Sequence, residues 1–331
     1  MHPELFEIPF IHLTVKSYGL MVVIGFLAAL SLIRHLSRNI TPNSQVITNA
    51  ALYSLIAGVA GARLFYVVHY FDSKFKGDLL SIFAIWQGGL ELLGGVFLAV
   101  VVILIYLRRH KLPIRRCLDI FVIALMLGLT FGRIGCFLNG CCFGKPANLP
   151  WAVRFPYGSI AYHSQVSPNL ERNRILPQLE LPPDFFSYVE EDGLVYRSLK
   201  PYESLTEEQK YLVDKSKYRS LPVHPTQLYS SAYGAFLCFI LYLYWRRSQN
   251  ADKFPNLRRA FAKPGCTFGL MCILYGIGRF FMEFLRDDNP IEFDGITISQ
   301  NISIVLIVLG VASMIIFEKM KPGKIMPANP K

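Results

Sequence analysis

Two stretches of this 331-residue chain carry the side chains best suited to chemistry. The first, GRIGCFLNGCC (132–142), sets Arg133 and Asn139 among glycines and three cysteines at the end of an apolar run. The second, YGIGRFFMEFLR (275–286), repeats Tyr275, Arg279 and Glu283 at i, i+4 and i+8, on one face of a helix, with Arg286 at its rim. An ionisable side chain inside an apolar segment is costly and defaults to a functional reading. Arg133 and Arg279 brought together in a low-dielectric cavity would bind an anionic headgroup, because the planar guanidinium matches the oxygens of a phosphate. Glycines at 132, 135, 140 and 144 are expected to let backbone approach such a ligand closely.

The elements that must hold these groups are membrane spans. The chain is 53% hydrophobic and only 17% charged, against about 25% charged in an ordinary soluble domain. About 20 apolar residues cross a bilayer, and seven runs qualify: 17–37, 46–70, 88–107, 117–138, 226–245, 265–285 and 297–317. The expected fold is all-α and polytopic, a single integral membrane domain over 1–331. Residues 140–224 are expected to form a small extracytoplasmic head inserted between the fourth and fifth helices. The first run is not read as a cleaved signal peptide, since no basic n-region precedes it and no small-residue cleavage site follows it. Ala57, Gly58, Gly61 and Ala62 give the second span a small-xxx-small face for close helix contact. Tyr70 and Trp86 are placed as interfacial anchors, with Trp245 at the opposite face. Within SLTEEQKYLV (204–213), Ser204 and Glu207 have the spacing of a capping box.

The formal charge of +11 raises the possibility of a nucleic-acid partner, but the basic residues follow the spans. They cluster after span one (Arg34, Arg38), span three (Arg108, Arg109, Lys111, Arg115, Arg116), span five (Arg246, Arg247, Lys253, Arg258, Arg259, Lys263) and span seven (Lys319, Lys321, Lys324, Lys331). The insertion 140–224 balances ten Lys/Arg against ten Asp/Glu. By the positive-inside rule the N-terminus lies outside and the C-terminus in the cytoplasm. The partner this charge points to is a bilayer, and no nucleic acid is expected.

With that orientation, Tyr18, Arg63, Glu91, Arg133 and the 275–283 face all fall at the level of the outer leaflet. Arg133 precedes Asn139 by about 9 Å along its helix. A transporter site usually lies near the midplane, so the offset favours a lipid ligand. Arg63 is also long enough to snorkel outward, and Asp119, at the cytoplasmic end, reads as a helix-terminus charge. Cys136, Cys141 and Cys142 form CxxxxCC, which is not a zinc spacing; small packing residues, an outer-face disulfide and a metal site all stay open. Cys117, Cys238, Cys266 and Cys272 lie in spans and read as packing residues.

Six stretches together resemble the bacterial prolipoprotein diacylglyceryl transferases: SYGLM (17–21), GARLFYV (61–67), WQGGLELLGG (86–95), GRIGCFLNGCCFG (132–144), HPTQLY (224–229) and YGIGRFFMEFLR (275–286). They cover nearly all of the chain, in the family's order. The chain departs from the family pattern at four positions. Leu93 stands for the family histidine, Cys136 for its first asparagine, Cys141 for a glutamate and Ser230 for the glutamate after QLY.

The resemblance implies an enzyme of the bacterial cytoplasmic (inner) membrane. It would move the diacylglyceryl group of phosphatidylglycerol onto the lipobox cysteine thiol of a prolipoprotein, releasing glycerol phosphate. No cofactor and no metal are implied. The leaving phosphate needs preorganised cations in a dry site, which Arg133 and Arg279 would supply, supported by Tyr18, Asn139 and Tyr275. Gly94, Gly95, Arg63, Gly144, His224 and Glu91 would complete the substrate-binding surface. Glu283 would position Arg279 or act as a base, and Glu91, two residues from Leu93, is the alternative base. Because Leu93 cannot move a proton, a phospholipid-binding or lipid-transport protein without chemistry stands as the rival reading.

Overall fold

A computed structural model describes residues 4–8, 13–41, 43–84, 88–191, 194–253, 261–291 and 295–320. Trp86 and the basic residues Arg258, Arg259, Lys321, Lys324 and Lys331 lie outside them. Strands β1 (Glu4–Ile8) and β2 (Leu13–Lys16) pair antiparallel ahead of α1 (Ser17–Ser37). Helices α2 (Ser44–His69), α3 (Leu92–Arg109) and α4 (Ile114–Asn139) follow. The next segment carries α5 (Ile160–Val166), the antiparallel hairpin of β3 (Phe186–Glu191) and β4 (Leu194–Leu199), and α6 (Glu207–Lys215). The chain then runs through α7 (Thr226–Lys253), α8 (Cys266–Glu283) and α9 (Ile298–Lys319). Among the described residues, seven helices are long and apolar enough to cross a membrane: α1 to α4 and α7 to α9. The protein is an all-α, multi-pass membrane protein. Span three begins later than its hydropathy suggests, because Gly88 and Gly89 take φ of +86° and +72°, a left-handed backbone that no helix continues through.

The chain divides into two compact units. One comprises 27–125, 242–268 and 313–331 and holds α2 and α3. These two helices meet through their small residues. A Cβ on Gly61 would lie 2.6 Å from the Gly94 carbonyl oxygen, and one on Gly95 would lie 2.8 Å from that of Gly58. The small-xxx-small face thus packs backbone against backbone. In the same unit Asp119 caps the start of α8, accepting hydrogen bonds from the Gly265 and Phe268 amides at 2.7 and 3.0 Å. Trp245 is 3% exposed and stacks on Tyr242, so it packs inside the protein and is not the interfacial anchor expected of it.

The other unit comprises 1–26, 126–241 and 269–312. Here α4, α7 and α8 come close because Gly234 faces the Met126 carbonyl and Gly278 faces the Tyr233 ring. The segment between α4 and α7 builds two small apolar cores, one around Tyr157, Tyr162, Val166, Phe185 and Leu199, the other around Phe143, Phe155, Ala161 and Val223. Each fully buried side chain of this size contributes roughly 1.5–3 kcal/mol. The buried tyrosines keep polar partners: Tyr157 donates to the Lys200 carbonyl at 2.9 Å and Tyr162 to that of Tyr218 at 2.8 Å. The capping box falls two residues later than the sequence spacing suggested. Thr206 and Gln209 bond reciprocally at 3.2 and 3.0 Å, because Ser204 closes a 3₁₀ turn behind Pro201 while Thr206 has both the hydroxyl and the extended backbone of an N-cap.

Candidate active site

Arg133 and Arg279 line one small pocket, together with Tyr275, Ser230 and Met282. The sequence of α8 explains the arrangement: Tyr275, Arg279 and Glu283 recur at one-turn intervals, and this is the most buried of the seven apolar helices. Ser230 occupies the wall of the same cavity, where the family pattern has an acid.

Glu283 is 3% exposed and fully engaged. One carboxylate oxygen takes Arg279, and the other accepts from Asn289 at 2.6 Å. Arg279 also donates to the Ser299 hydroxyl at 2.7 Å, so its guanidinium is held from two helices. Arg172, from the α4–α7 segment, brings a third guanidinium to 3.9 Å from Glu283. Its Nε and Nη2 are buried and have no hydrogen-bond partner among the described residues. Arg286, 5% exposed, is gripped by both oxygens of Asp288 at 2.9 and 2.7 Å. Burial works against its charge, but the Asp288 carboxylate outweighs burial and holds Arg286 protonated above its ordinary range. Three arginines, Arg172, Arg279 and Arg286, therefore face the two carboxylates of Glu283 and Asp288.

The glycines play a different part from the one expected of them. A Cβ on Gly144 would stand 2.6 Å from the His224 carbonyl oxygen and 2.9 Å from that of Leu285. Gly144 is thus required by the close approach of other backbone. Gly135 admits Tyr18 of α1, whose ring would lie 3.1 Å from its Cβ, and Gly140 takes φ +76° to turn the chain out of α4. Gly132 alone of the four faces open space. Gly94 and Gly95 are helix-packing residues against α2, with Phe65 and Gly58 where a Cβ would go.

Asn139 ends α4, and the Cys141 thiol just beyond it donates to the Cys136 carbonyl at 3.7 Å. The sulfurs of Cys136, Cys141 and Cys142 lie within 4.8 Å of one another. The two neighbouring thiols first, then Arg286 and Arg133, hold the Cys142 thiol below its ordinary range against the opposing effect of burial. All three cysteines are free. His224 lies 3.4 Å from the Tyr229 hydroxyl, which accepts a hydrogen bond from Trp151 at 2.7 Å, and its backbone pairs with Gly144 and Lys145.

Arg63 and Glu91 belong to the unit that holds α2 and α3. Arg63 does not snorkel. It is 9% exposed, and its guanidinium donates to the carbonyls of Ser81, Ile82, Gly88 and Gly89 at 2.6, 2.8, 2.7 and 3.1 Å. It clamps the turns between α2 and α3. Glu91 meets His69 Nδ1 at 2.7 Å, a pair the sequence reading missed because the two lie 22 residues apart on different elements. Arg172 escaped notice for a similar reason, since the balanced charge of its segment gives it no contrast. Arg286, expected at the rim of the α8 face, is itself buried.

Seven apolar spanning helices, with ion-paired arginines buried beside the last two, define a multi-pass membrane protein. The profile of the prolipoprotein diacylglyceryl transferase family matches residues 3–316, and the chain belongs to that family. It is 28% identical over 311 residues to the phosphatidylglycerol–prolipoprotein diacylglyceryl transferase of Clostridium tetani, covering 94% of this chain and 96% of that one. Its identity to the enzyme of the same name from Rhodospirillum rubrum is 28% over 329 residues, with 97% and 93% covered. For that from Finegoldia magna it is 29% over 308 residues, with 91% of each covered.

Proposed function

We infer that this chain transfers the diacylglyceryl group of phosphatidylglycerol to the lipobox cysteine thiol of a prolipoprotein. The C–O bond between the glyceryl carbon and the phosphate breaks, and a C–S bond forms to the attacking sulfur. Glycerol phosphate leaves with the bonding pair, and the thiol proton is released. The observation that carries the reading is the presence of Arg133 and Arg279 in one apolar-walled cavity with Tyr275. Negative charge grows on the departing phosphate, and preorganised donors in a water-poor site stabilise it there more than in the ground state. Arg279, fixed by Glu283 and Ser299, needs little reorganisation to do this. Glu283 acts as its positioning residue, since a carboxylate already bonded to Arg279 and Asn289 is poorly placed to take a proton. Tyr18, Asn139 and Tyr275 orient the headgroup.

The acceptor thiol is the most forgiving of biological nucleophiles, a few per cent thiolate near neutrality, and neighbouring cations increase that fraction. This supports chemistry despite Leu93, which is 68% exposed on α3 and carries no proton. The proposed setting is the bacterial inner membrane, with the N-terminus and residues 140–224 outside and the C-terminus in the cytoplasm. Purified protein incubated with phosphatidylglycerol and a lipobox peptide should yield a peptide heavier by one diacylglyceryl group, with an equal amount of glycerol phosphate. Phospholipid binding without either product would sink the enzymatic reading and leave a lipid-binding protein.

A further inference from the structure

Cys136, Cys141 and Cys142 look unsuited to a metal when read as CxxxxCC, yet the fold gathers their sulfurs. Cys136 lies in the last turn of α4, and Gly140, at φ +76°, reverses the chain directly after that helix. Cys142 then takes φ +59°, a left-handed conformation that a residue with a Cβ adopts only at a cost of about 1 kcal/mol. The turn carries Cys141 and Cys142 back over the helix end, and all three sulfurs lie within 4.8 Å of one another. Three sulfurs bound at about 2.3 Å to one ion stand about 3.8–4.0 Å apart, so small side-chain rotations close the set.

The loop is also held in place from outside. Thr226 and Gln227, in the first turn of α7, donate to the carbonyls of Cys142 and Cys141, both at 2.7 Å. Gln227 is 0% exposed. Such supporting hydrogen bonds fix the direction of ligands before an ion arrives.

We propose that Cys136, Cys141 and Cys142 form a binding site for one thiophilic cation of the Zn²⁺, Cd²⁺ or Cu⁺ class. Thiolate sulfur selects such ions over Mg²⁺ and Ca²⁺. Binding releases the thiol protons. Three thiolates around a divalent ion carry a net charge of −1, which the nearby Arg133 and Arg286 offset. Its test reads the metal directly and needs no turnover.

The full chain in detergent, reduced with a phosphine, is titrated with Cd²⁺ and followed by thiolate-to-metal charge-transfer absorption. We expect a band that saturates at one Cd²⁺ per chain. Each of Cys136→Ser, Cys141→Ser and Cys142→Ser should weaken binding at least about tenfold. Cys238→Ser, about 16 Å further along α7 than Gln227, should leave it unchanged. In the unsubstituted chain, Cd²⁺ should protect the three cysteines together from alkylation, read by peptide mass, with Cys238 labelled as before; this arm needs no variant to fold. No band at saturating Cd²⁺, a full band in any of the three serine variants, or alkylation unaffected by Cd²⁺ would each overturn the site.

Discussion

Glu283 lies one helical turn beyond Arg279 on α8 and holds its guanidinium, while Asn289 occupies the carboxylate's other oxygen at 2.6 Å. The acid is bonded on both sides inside the protein, and the arginine keeps a defined direction at the cavity wall.

Replacing either cavity arginine with lysine keeps the charge and loses the planar fork. Arg133→Lys and Arg279→Lys should each lose about 2–4 kcal/mol of transition-state stabilisation, roughly 30- to 1,000-fold in turnover. The double variant should lose less than the product of the two, because a phosphate freed from one arginine shifts at the other. Near-normal turnover in either single variant would refute a shared grip on one phosphate.

Glu283→Gln should be severe, because a neutral amide cannot hold Arg279 and leaves Arg172, at 3.9 Å, facing it without a counter-charge. Glu91→Gln should slow turnover only a few-fold, an effect no larger than about 1 kcal/mol, since the amide still reaches His69. Turnover abolished in Glu91→Gln with lipid binding intact would make the His69–Glu91 pair the base and reverse this ranking.

Arg63→Lys should act on stability. A single ammonium cannot span the carbonyls of Ser81, Ile82, Gly88 and Gly89, and losing such charge-assisted bonds should cost about 2–3 kcal/mol. Thermal unfolding in detergent should show the loss, with lipid affinity of the folded fraction unchanged. Reduced affinity at unaltered stability would instead make Arg63 a lipid contact.

Gly144→Ala and Gly132→Ala should separate packing from binding. The first drives a methyl into the His224 and Leu285 carbonyls, at 2.6 and 2.9 Å, and should lower the unfolding temperature sharply. The second meets nothing within 4 Å and should leave the fold intact or slightly more stable, since alanine favours helix by up to about 1 kcal/mol. Lost lipid affinity in a well-folded Gly132→Ala would place the ligand against that turn of α4.

For orientation, Asp184→Cys and Arg247→Cys, both exposed positions, should differ towards a membrane-impermeant maleimide. The first should label in intact cells and the second only after permeabilisation. The reverse pattern would invert the topology.

The seven helices were legible because an apolar run of span length has few other uses; glycine backbone at Gly88 delayed the start of α3, and α7 ran on past its apolar stretch to Lys253. The i, i+4, i+8 face of α8 was legible too, because helix periodicity alone puts Tyr275, Arg279 and Glu283 on one side. What periodicity cannot give is which distant segment arrives beside them. Arg172, Asn289 and Ser299 reach Arg279 and Glu283 through loops or a separate helix, and His69 reaches Glu91 across two turns. The glycines misled for a related reason. Gly144 has the same composition signal whether its missing side chain makes room for a phosphate or for the Leu285 carbonyl.

The segment between α4 and α7 leaves and returns at one place. Gly144 and His224 bond through amide and carbonyl at 3.1 Å, His224 bonds back to Lys145 at 3.1 Å, and Ala147 pairs with Pro222 at 2.8 Å. Its two ends form a clasp, so the excursion behaves as a cassette whose length is uncoupled from the spacing of α4 and α7. Shortening it by grafting the ends together across the clasp would remove Arg172 and Arg174, which reach Glu283 and Asp287. It would not touch Arg133, Arg279 or the Asn289 bond to Glu283. Such a trimmed chain would keep the pocket's two guanidiniums and lose the Arg172 and Arg174 contacts, so the clasp marks where sequence can be removed or exchanged without respacing the helices.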